Sequence, residues 1–259
     1  MNKRYLVTGA AGFIGSQVCL RLLEEGHQVS GVDNLNDYYD VRLKDWRLSQ
    51  IQSHPNSENF HFEKMDIENQ RSLDCFFGSN GPFDAVLNLA ARAGVSYSLQ
   101  NPHVYLSTNA EGTLNLLECM RETGCKKFVY ASTSSLYAGQ MMPFTEELAV
   151  NEPLSPYAAS KKAGELMAYS YHKLYQIDIS VVRYFTVFGP AGRPDMSIFR
   201  FIKWIYEGAP IQIFGDGSQS RDFTYVDDIA RGTIAAIQDV GYEIFNLGGG
   251  RNPVSLNTI

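Results

Sequence analysis

Thr8-Gly9-Ala10-Ala11-Gly12-Phe13-Ile14-Gly15 sets the fold of this 259-residue chain. A short apolar strand over residues 3–8 leads into the stretch, and apolar residues at helical spacing follow it as far as Gly26. Its three glycines permit a tight turn and let the backbone approach a diphosphate closely. The N-terminus of the following helix offers free N–H groups and a favourable dipole to the same anion. The stretch therefore predicts a dinucleotide site, with a purely structural turn as the alternative.

A second predicted strand, residues 28–32, ends in Asp33. This acid comes about 20 residues after the glycine turn, where a carboxylate can accept a hydrogen bond from the ribose 2′-hydroxyl of a dinucleotide. The same negative charge would repel the 2′-phosphate of NADP, so the sequence predicts NAD as the cofactor. The polar and aromatic residues 34–39 are expected to form a loop at the cofactor's edge.

Four further strand patterns follow along the chain, at residues 60–64, 84–89, 127–131 and 177–183. Helical patterns lie between them, among them residues 41–54 and 108–123. This alternation predicts an α/β fold of the Rossmann type, with a doubly wound parallel sheet. Ligands of such sheets bind beyond the carboxyl ends of the strands. The residues expected beside the adenosine and pyrophosphate are therefore Asp66, Ile67, Leu89, Ala90 and Ala91.

Two clusters of polar residues follow at positions where catalytic side chains can be expected. The fifth strand ends in Ser132-Thr133-Ser134-Ser135, whose hydroxyls could hold a sugar hydroxyl for deprotonation; a loop with local backbone bonds is the alternative. A helix capped by serine, with proline in its first turn, then runs over residues 155–175. On it Tyr157 and Lys161 share one face, and the ammonium should lower the tyrosine pKa from about 10. The pair is a candidate general base, against the alternative of an ordinary surface pair.

The sequence changes character after Phe185. A loop rich in glycine and proline, residues 186–196, precedes a predicted helix at 198–207 and a short predicted strand at 211–214. The last residues, 255–259, are expected to open a helix, and the C-terminal part is therefore expected to be truncated. The predicted division is a Rossmann domain for NAD, residues 1–186 and 221–247, and a smaller substrate-binding part, residues 187–220 and 248–259.

Composition argues against several classes of function. The net charge of −6 argues against a nucleic-acid partner. No apolar run reaches the roughly 20 residues needed to span a bilayer, and the N-terminal sequence lacks the apolar segment of a signal peptide. The four cysteines show no metal-binding spacing, so no metal site is predicted, and they fit a reducing, cytoplasmic location.

Several motifs occur in order along the whole chain: TGAAGFIG, the strand-end Asp33, LAA, the Ser/Thr cluster, Y-x-x-x-K, RYFTVFGP and RDFTYVDD. In this combination the chain resembles the extended short-chain dehydrogenase/reductase superfamily and, within it, the NAD-dependent epimerase/dehydratase family. The resemblance implies a catalytic triad of Thr133, Tyr157 and Lys161. The cofactor contacts that it implies are Gly9, Gly12, Phe13, Ile14, Gly15, Asp33, Asn34, Asp66, Ile67, Leu89, Ala90, Ala91, Asn109, Lys161 and Phe185.

The stretches GVDNLNDYYD, AGVSYSLQNP and FGPAGRPDM are most similar to nucleotide-sugar 4-epimerases, in particular those that act on UDP-glucuronate. This likeness implies inversion of carbon 4 of a UDP-hexuronic acid through a transient 4-keto sugar. It implies that Arg193 faces the sugar carboxylate, which a guanidinium can bind through two hydrogen bonds, and that Arg221 neutralises the UDP diphosphate. Ser134 and Thr186 are the other implied substrate contacts. For the two arginines, the alternative is a role in loop stability or in a structural ion pair.

Three other activities of this fold are alternatives. Arg193 argues against a UDP-glucose/galactose 4-epimerase, and the lack of an acid in residues 132–135 argues against a decarboxylase or sugar-nucleotide dehydratase. A non-catalytic NAD-binding protein commonly lacks the tyrosine or the lysine, and both are present here. The helices at 108–123 and 157–175 resemble those that pair in homodimers of the family. One departure from the likeness is Ser96, where arginine is usual, although an arginine lies one turn earlier.

Overall fold

Seven parallel strands form the central sheet of the computed structural model, which describes residues 2–213, 215–250 and 253–259. The strands of the chain are β1 (Arg4–Thr8), β2 (Gln28–Asp33), β3 (Phe60–Lys64), β4 (Ala85–Asn88), β5 (Lys127–Thr133), β6 (Asp178–Tyr184), β7 (Thr186–Phe188), β8 (Ser220–Arg221), β9 (Phe223–Tyr225), β10 (Tyr242–Leu247) and β11 (Val254–Ser255). The central sheet has the order β3-β2-β1-β4-β5-β6-β10, and each neighbouring pair is parallel. The predicted doubly wound, Rossmann-type sheet is confirmed.

Helices cover both faces of this sheet. They are α1 (Phe13–Glu24), α2 (Val41–Gln52), α3 (Gln70–Asn80), α4 (Val95–Gln100), α5 (His103–Leu106), α6 (Gly112–Thr123), α7 (Pro156–Tyr175), α8 (Ser197–Glu207) and α9 (Val226–Ala235). A π-helical turn, Ser107–Glu111, joins α5 to α6. The α7 helix begins as the sequence predicts, because Oγ of Ser155 accepts a hydrogen bond from the N–H of Ala158 at 3.1 Å.

Side chains of β1 alternate between two cores on opposite faces of the sheet. Leu6 packs into the core covered by α3, α6 and α7, whereas Tyr5 and Val7 pack into the core covered by α1, α2 and α9. Because both faces are covered, the inner strands β1, β4 and β5 are buried along almost their whole length rather than on alternate residues.

The strand ends that carry the predicted site residues meet at one edge. Thr8 at the end of β1 is in register with Val32 of β2 and with Asn88 of β4. The Thr8 hydroxyl donates to Oδ1 of Asn88 at 2.7 Å and accepts a hydrogen bond from the N–H of Ala90 at 3.2 Å. The order of the strands reverses between β1 and β4, which opens a crevice beyond their carboxyl ends.

Two predictions for the C-terminal third are not met. The residues expected to open a helix, 255–259, instead complete β11, which pairs antiparallel with β8, and then form a turn. The N–H of Leu256 bonds the carbonyl of Gln219, so pairing with a distant segment prevails over the local helical pattern. Residues 211–213 form no strand, and Phe214, the end of that predicted strand, lies outside the described residues.

Within the described ranges, no helix is long and apolar enough to cross a membrane. The same residues contain no group of three or more His, Cys, Asp or Glu side chains placed to hold a metal ion. All four cysteines are free thiols, and three of them are buried.

Candidate active site

The glycine turn between β1 and α1 leaves no room for larger side chains. A Cβ on Gly9, whose φ is +71°, would lie 2.7 Å from the backbone nitrogen of Ala90. A Cβ on Gly15 would lie 2.1 Å from the carbonyl oxygen of Gly9. No side chain caps α1, so the N–H groups of its first turn keep their capacity to bind an anion. The turn therefore has the form that the pyrophosphate of NAD requires.

Asp33 stands at the end of β2 with its carboxylate held by the backbone. Oδ2 accepts a hydrogen bond from the N–H of Ala11 at 3.2 Å, and Oδ1 accepts one from the N–H of Leu35 at 2.8 Å. The side chain is only 7 % exposed. This fixed acceptor at the edge of the glycine turn fits the ribose hydroxyls of NAD, as the sequence predicts.

One cleft of about 420 Å³ opens beyond the strand ends. The predicted cofactor residues that line it are Gly9, Gly12, Phe13, Ile14, Gly15, Asp33, Asn34, Asp66, Ile67, Leu89, Ala90, Ala91, Lys161 and Phe185. The predicted catalytic and substrate residues that line it are Thr133, Ser134, Tyr157, Lys161, Thr186 and Arg193. The structure thus brings into one cleft residues drawn from most of the length of the chain.

Asn109 is a predicted cofactor contact that does not line this cleft. It is fully buried in the π-helical turn, and its side chain accepts from the N–H of Arg92 at 2.8 Å. Its amide donates to the carbonyl of Arg92 and to the hydroxyl of Ser160, each at 2.9 Å. Asn109 therefore fixes the cleft wall at residue 92 against the helix that carries the tyrosine and lysine.

Arg221 also lies away from the cleft lining. It is exposed on β8, and Nη1 bonds the carbonyl oxygen of Ser220 at 2.8 Å. Its role at a UDP diphosphate stays a prediction. At the other departure from the likeness, Ser96 is exposed outside the cleft, whereas Arg92 is part of its wall.

The predicted triad is assembled where β5 ends and α7 begins. A hydrogen bond links the side chains of Tyr157 and Thr133, and the Tyr105 ring meets the Tyr157 ring edge-on at 6.0 Å. Burial raises the pKa of Tyr157, while the bond to Thr133 and the positive charge of Arg193 oppose this rise. The predicted lowering of this pKa is therefore wrong for the structure as it stands, because helical spacing carries no information about desolvation.

Lys161 lies one turn further along α7 and is only 2 % exposed. Its ammonium is 4.8 Å from the centre of the Tyr130 ring, a cation–π contact. Burial lowers the Lys161 pKa to about 7, and the negative charge of Glu165 opposes that effect. Glu165 is itself held by the guanidinium of Arg183, through two bonds of 2.9 Å. The charge of a fully buried ion pair, which the sequence did not indicate, thus acts on Lys161.

Arg193 reaches the cleft from the loop before α8. It forms two hydrogen bonds with Asp195, from Nε to Oδ1 at 3.1 Å and from Nη2 to Oδ2 at 2.5 Å. Its charge is felt at Tyr157, where it lowers the pKa. The likeness that implied a carboxylate partner for Arg193 gave no sign of this neighbouring acid.

Arg47 of α2 is another residue that sequence reasoning missed. It is 2 % exposed, and its guanidinium donates to the carbonyl of Ala11 at 3.1 Å and to the hydroxyl of Tyr39 at 2.6 Å. Two further bonds, of 3.1 and 2.7 Å, reach the carbonyl of Ala191. Arg47 therefore ties the glycine turn to the loop that carries Arg193. The helical pattern of α2 offered no signal for this, because its polar positions are expected to be solvated.

Comparison with known proteins agrees with this geometry. Residues 5–248 match the NAD dependent epimerase/dehydratase family. The UDP-glucuronate 4-epimerase of Thermodesulfobacterium geofontis is 64% identical over 255 residues, which are 98% of this chain and 78% of that protein. Solved structures are similar as well. UDP-glucuronic acid 4-epimerase from Bacillus cereus, in complex with UDP-glucuronic acid and NAD, gives a TM-score of 0.90 at 38% identity, over 98% of this chain and 80% of that one.

Another similar structure is that of an enzyme named for a neutral sugar. UDP-glucose 4-epimerase from Thermotoga maritima, with UDP-glucose, gives a TM-score of 0.86 at 33% identity, over 98% of this chain and 79% of that chain. The family match extends over most of the sequence, and the whole central sheet has the architecture that the motifs predict. The chain belongs to the NAD dependent epimerase/dehydratase family.

Proposed function

We propose that the protein inverts carbon 4 of UDP-glucuronate, to give UDP-galacturonate, with NAD as a tightly held cofactor. The observation that carries this proposal is the meeting of the Thr133–Tyr157 pair, Lys161 and Arg193 in the cleft that also contains the glycine turn. It is supported by the relative from Thermodesulfobacterium geofontis, which bears the name of this activity, and by the Bacillus cereus complex with UDP-glucuronic acid and NAD.

The triad handles one proton in each half of the reaction. Thr133 aligns the 4-hydroxyl, and Tyr157 takes its proton as the carbon–hydrogen bond breaks. Burial opposes the phenolate on which this depends, and in this proposal the ammonium of Lys161, together with the positive ring of NAD when bound, would offset that effect. NAD, which the glycine turn and Asp33 would hold, would supply the acceptor and donor for the hydride of carbon 4, with a 4-keto sugar between the two half-reactions. Tyr157 then gives the proton back to the new 4-hydroxyl, so that no net oxidation results.

A uronate raises a problem that a neutral sugar does not. Its 4-keto form is a β-keto acid, which loses carbon dioxide readily when the bond between carbon 5 and the carboxylate lies parallel to the π orbital of the ketone. Arg193 and Thr186 are the residues we propose to restrain the carboxylate, and Ser134 the residue that helps to align the sugar. The segment Ser132–Ser135 contains no acid to move the proton of carbon 5, which disfavours dehydration.

Product analysis tests the activity. The protein is incubated with UDP-glucuronate, and the sugars are assigned by NMR. UDP-galacturonate is expected; UDP-pentose with carbon dioxide would mean a decarboxylase, and absence of turnover with retained NAD would mean a binding protein. Tyr157→Phe should abolish turnover and keep NAD, whereas Tyr175→Phe, at the far end of the same helix, should leave turnover unchanged.

A homodimer is part of the proposal. The helices α4 and α5 pack against α7, and together they expose nine large apolar side chains. Four of these are more than half exposed. These four residues, which we call the α7 face, are Leu99, Leu106, Leu166 and Leu174. Each is more than half exposed, between 56% and 69%, which is typical of a surface that a partner covers.

The division of the chain into two parts and its cellular location also belong to the proposal. We propose that residues 187–220 and 248–259 form the substrate-binding part, since the loop with Arg193 and α8 lie outside the central sheet. A cytoplasmic location is supported by the four free cysteines, which an oxidising compartment would disfavour.

A further inference from the structure

The guanidinium of Arg193 is held along one edge only. Nε and Nη2 donate to the two oxygens of Asp195, at 3.1 and 2.5 Å, in the parallel arrangement that suits a guanidinium and a carboxylate. A guanidinium carries five N–H groups, and this arrangement uses two of them. No other hydrogen bond from this side chain occurs within the described part of the chain. The second edge, made by Nη1 and the outer hydrogen of Nη2, is therefore left for another acceptor.

The backbone around this pair is also fixed. The carbonyl of Ala191 accepts from Arg47, and the carbonyl of Arg193 accepts from the N–H of Met196 at 3.2 Å. This last bond turns the chain back on itself, which brings Asp195 beside an arginine only two residues away. Backbone and side chain therefore restrict the direction of the guanidinium plane together.

The pair stands at the cleft wall. A Cβ on Gly94 would lie 3.6 Å from Nη2 of Arg193, 3.7 Å from Oδ2 of Asp195 and 3.0 Å from the hydroxyl of Tyr38. Arg193 lines the cleft and acts electrostatically on Tyr157, whereas Asp195 is not part of the lining. Of this pair, the arginine therefore borders the cleft and the acid does not.

We propose that Asp195 is the positioning residue for Arg193. It occupies the Nε/Nη2 edge and thereby turns the Nη1/Nη2 edge toward the carboxylate of the bound sugar. Its negative charge also offsets the charge of Arg193, so that recognition of the uronate depends on directed hydrogen bonds rather than on net attraction. A guanidinium held in this way keeps the sugar carboxylate out of the position in which its bond to carbon 5 lies parallel to the π orbital of the 4-ketone, and so favours epimerisation over loss of carbon dioxide. The inference rests on the proposed function.

The test compares Asp195→Ala and Asp195→Asn with wild type and with Asp45→Asn, an exposed acid on α2 that controls for the change in charge. The measurements are KM and kcat for UDP-glucuronate, the ratio of UDP-pentose to UDP-galacturonate by NMR, and NAD retention. For Asp195→Ala we expect KM and the pentose ratio each to rise about tenfold, the loss typical of one charge-assisted hydrogen-bonded contact, with NAD retained. For Asp195→Asn both values should lie between those of wild type and Asp195→Ala, because the amide oxygen of asparagine still accepts one hydrogen bond.

Three outcomes would overturn the inference. An unchanged KM and product ratio would mean that Arg193 needs no support. A lower KM would mean that Asp195 competes with the substrate for Arg193 instead of positioning it. Loss of NAD together with the substrate would mean a structural role alone. If wild type does not epimerise UDP-glucuronate, the proposed function fails; the ratio of dissociation constants for UDP-glucuronate and UDP-glucose, in wild type and Asp195→Ala, then still decides whether Asp195 sets carboxylate recognition.

Discussion

The ammonium of Lys44 lies 3.5 Å from Oδ1 of Asp33, and both side chains are almost completely buried, at 5 and 7 % exposure. Asp33 ends β2, whereas Lys44 comes from the second turn of α2. Burial lowers the pKa of Lys44, and the charge of Asp33 opposes this. The acid that should select NAD therefore has a cationic partner inside the same cleft.

This pairing predicts how the cofactor preference can be changed. Asp33→Asn removes the charge that repels a 2′-phosphate and leaves Lys44 as an unpaired ammonium beside the ribose. We expect NAD to bind about tenfold more weakly and NADP to bind about tenfold more tightly, since a charge-assisted bond contributes on the order of 1.5–3 kcal/mol. Isothermal titration with each dinucleotide measures both changes.

A second substitution tests whether Lys44 itself binds the 2′-phosphate of NADP. Asp33→Asn with Lys44→Met should lose the gain in NADP affinity, whereas Asp33→Asn with Lys203→Met, an exposed position on α8, should keep it. Equal NADP affinity in the two double variants would show that Lys44 does not recognise the phosphate.

Lys161 predicts a pH dependence of stability. Burial lowers its pKa from 10.5 to about 7, so between these values the unfolded chain holds a proton that the folded protein lacks. The free energy of unfolding must then rise with pH through this window, by at most about 1.4 kcal/mol per unit; below about pH 7 both states are protonated and the full cost of burying the charge is present. Lys161→Met removes this dependence.

Urea unfolding of nucleotide-free protein from about pH 6 to about pH 9 tests the sign. Wild type should gain stability relative to Lys161→Met as the pH rises. Lys173→Met, exposed on the same helix, should keep the wild-type slope. Parallel curves for wild type and Lys161→Met would contradict a lowered pKa.

Those parts of the site that depend on strand ends could be predicted from the sequence. The glycine turn, Asp33 and the hydroxyls at the end of β5 each mark the end of a strand pattern, and the carboxyl ends of parallel strands meet at one edge. The helix that carries Tyr157 could also be predicted, because its serine cap and its proline are local signals.

The remaining parts depend on contacts that no local pattern contains. Arg47 bonds a carbonyl 144 residues away, and nothing in the α2 sequence separates it from a solvated arginine. The raised pKa of Tyr157 reflects desolvation by the whole cleft, which an i, i+4 spacing cannot express. The expected helix at residues 255–259 failed for the same reason, since pairing with Ser220 decides the backbone there.

Arg47 predicts a large loss of stability. Arg47→Met leaves the buried carbonyl of Ala11 and the partly buried carbonyl of Ala191 without their donor, which should lower the free energy of unfolding by about 3 kcal/mol. Arg42→Met removes an arginine from the same helix that is 89 % exposed and paired with Asp40, and should change stability by no more than about 0.5 kcal/mol. Denaturant titrations of both variants decide the matter; similar small losses would mean that the Arg47 bonds carry little net energy.

The α7 face predicts the assembly state. Leu166 and Leu174 are 56 and 69 % exposed on the helix that carries Tyr157, over the core that β1 shares through Leu6. Glutamate at both positions would place charges in the centre of a dimer interface, where their desolvation has no partner to offset it. We expect sedimentation equilibrium to give the mass of two chains for wild type and of one chain for the double variant.

The control is Trp46→Glu, at a 48 % exposed position on the opposite side of the sheet, and this variant should remain a dimer. Because the face lies outside the cleft, a monomeric double variant should still bind NAD; a wild-type protein of single-chain mass would refute the dimer without touching the proposed chemistry.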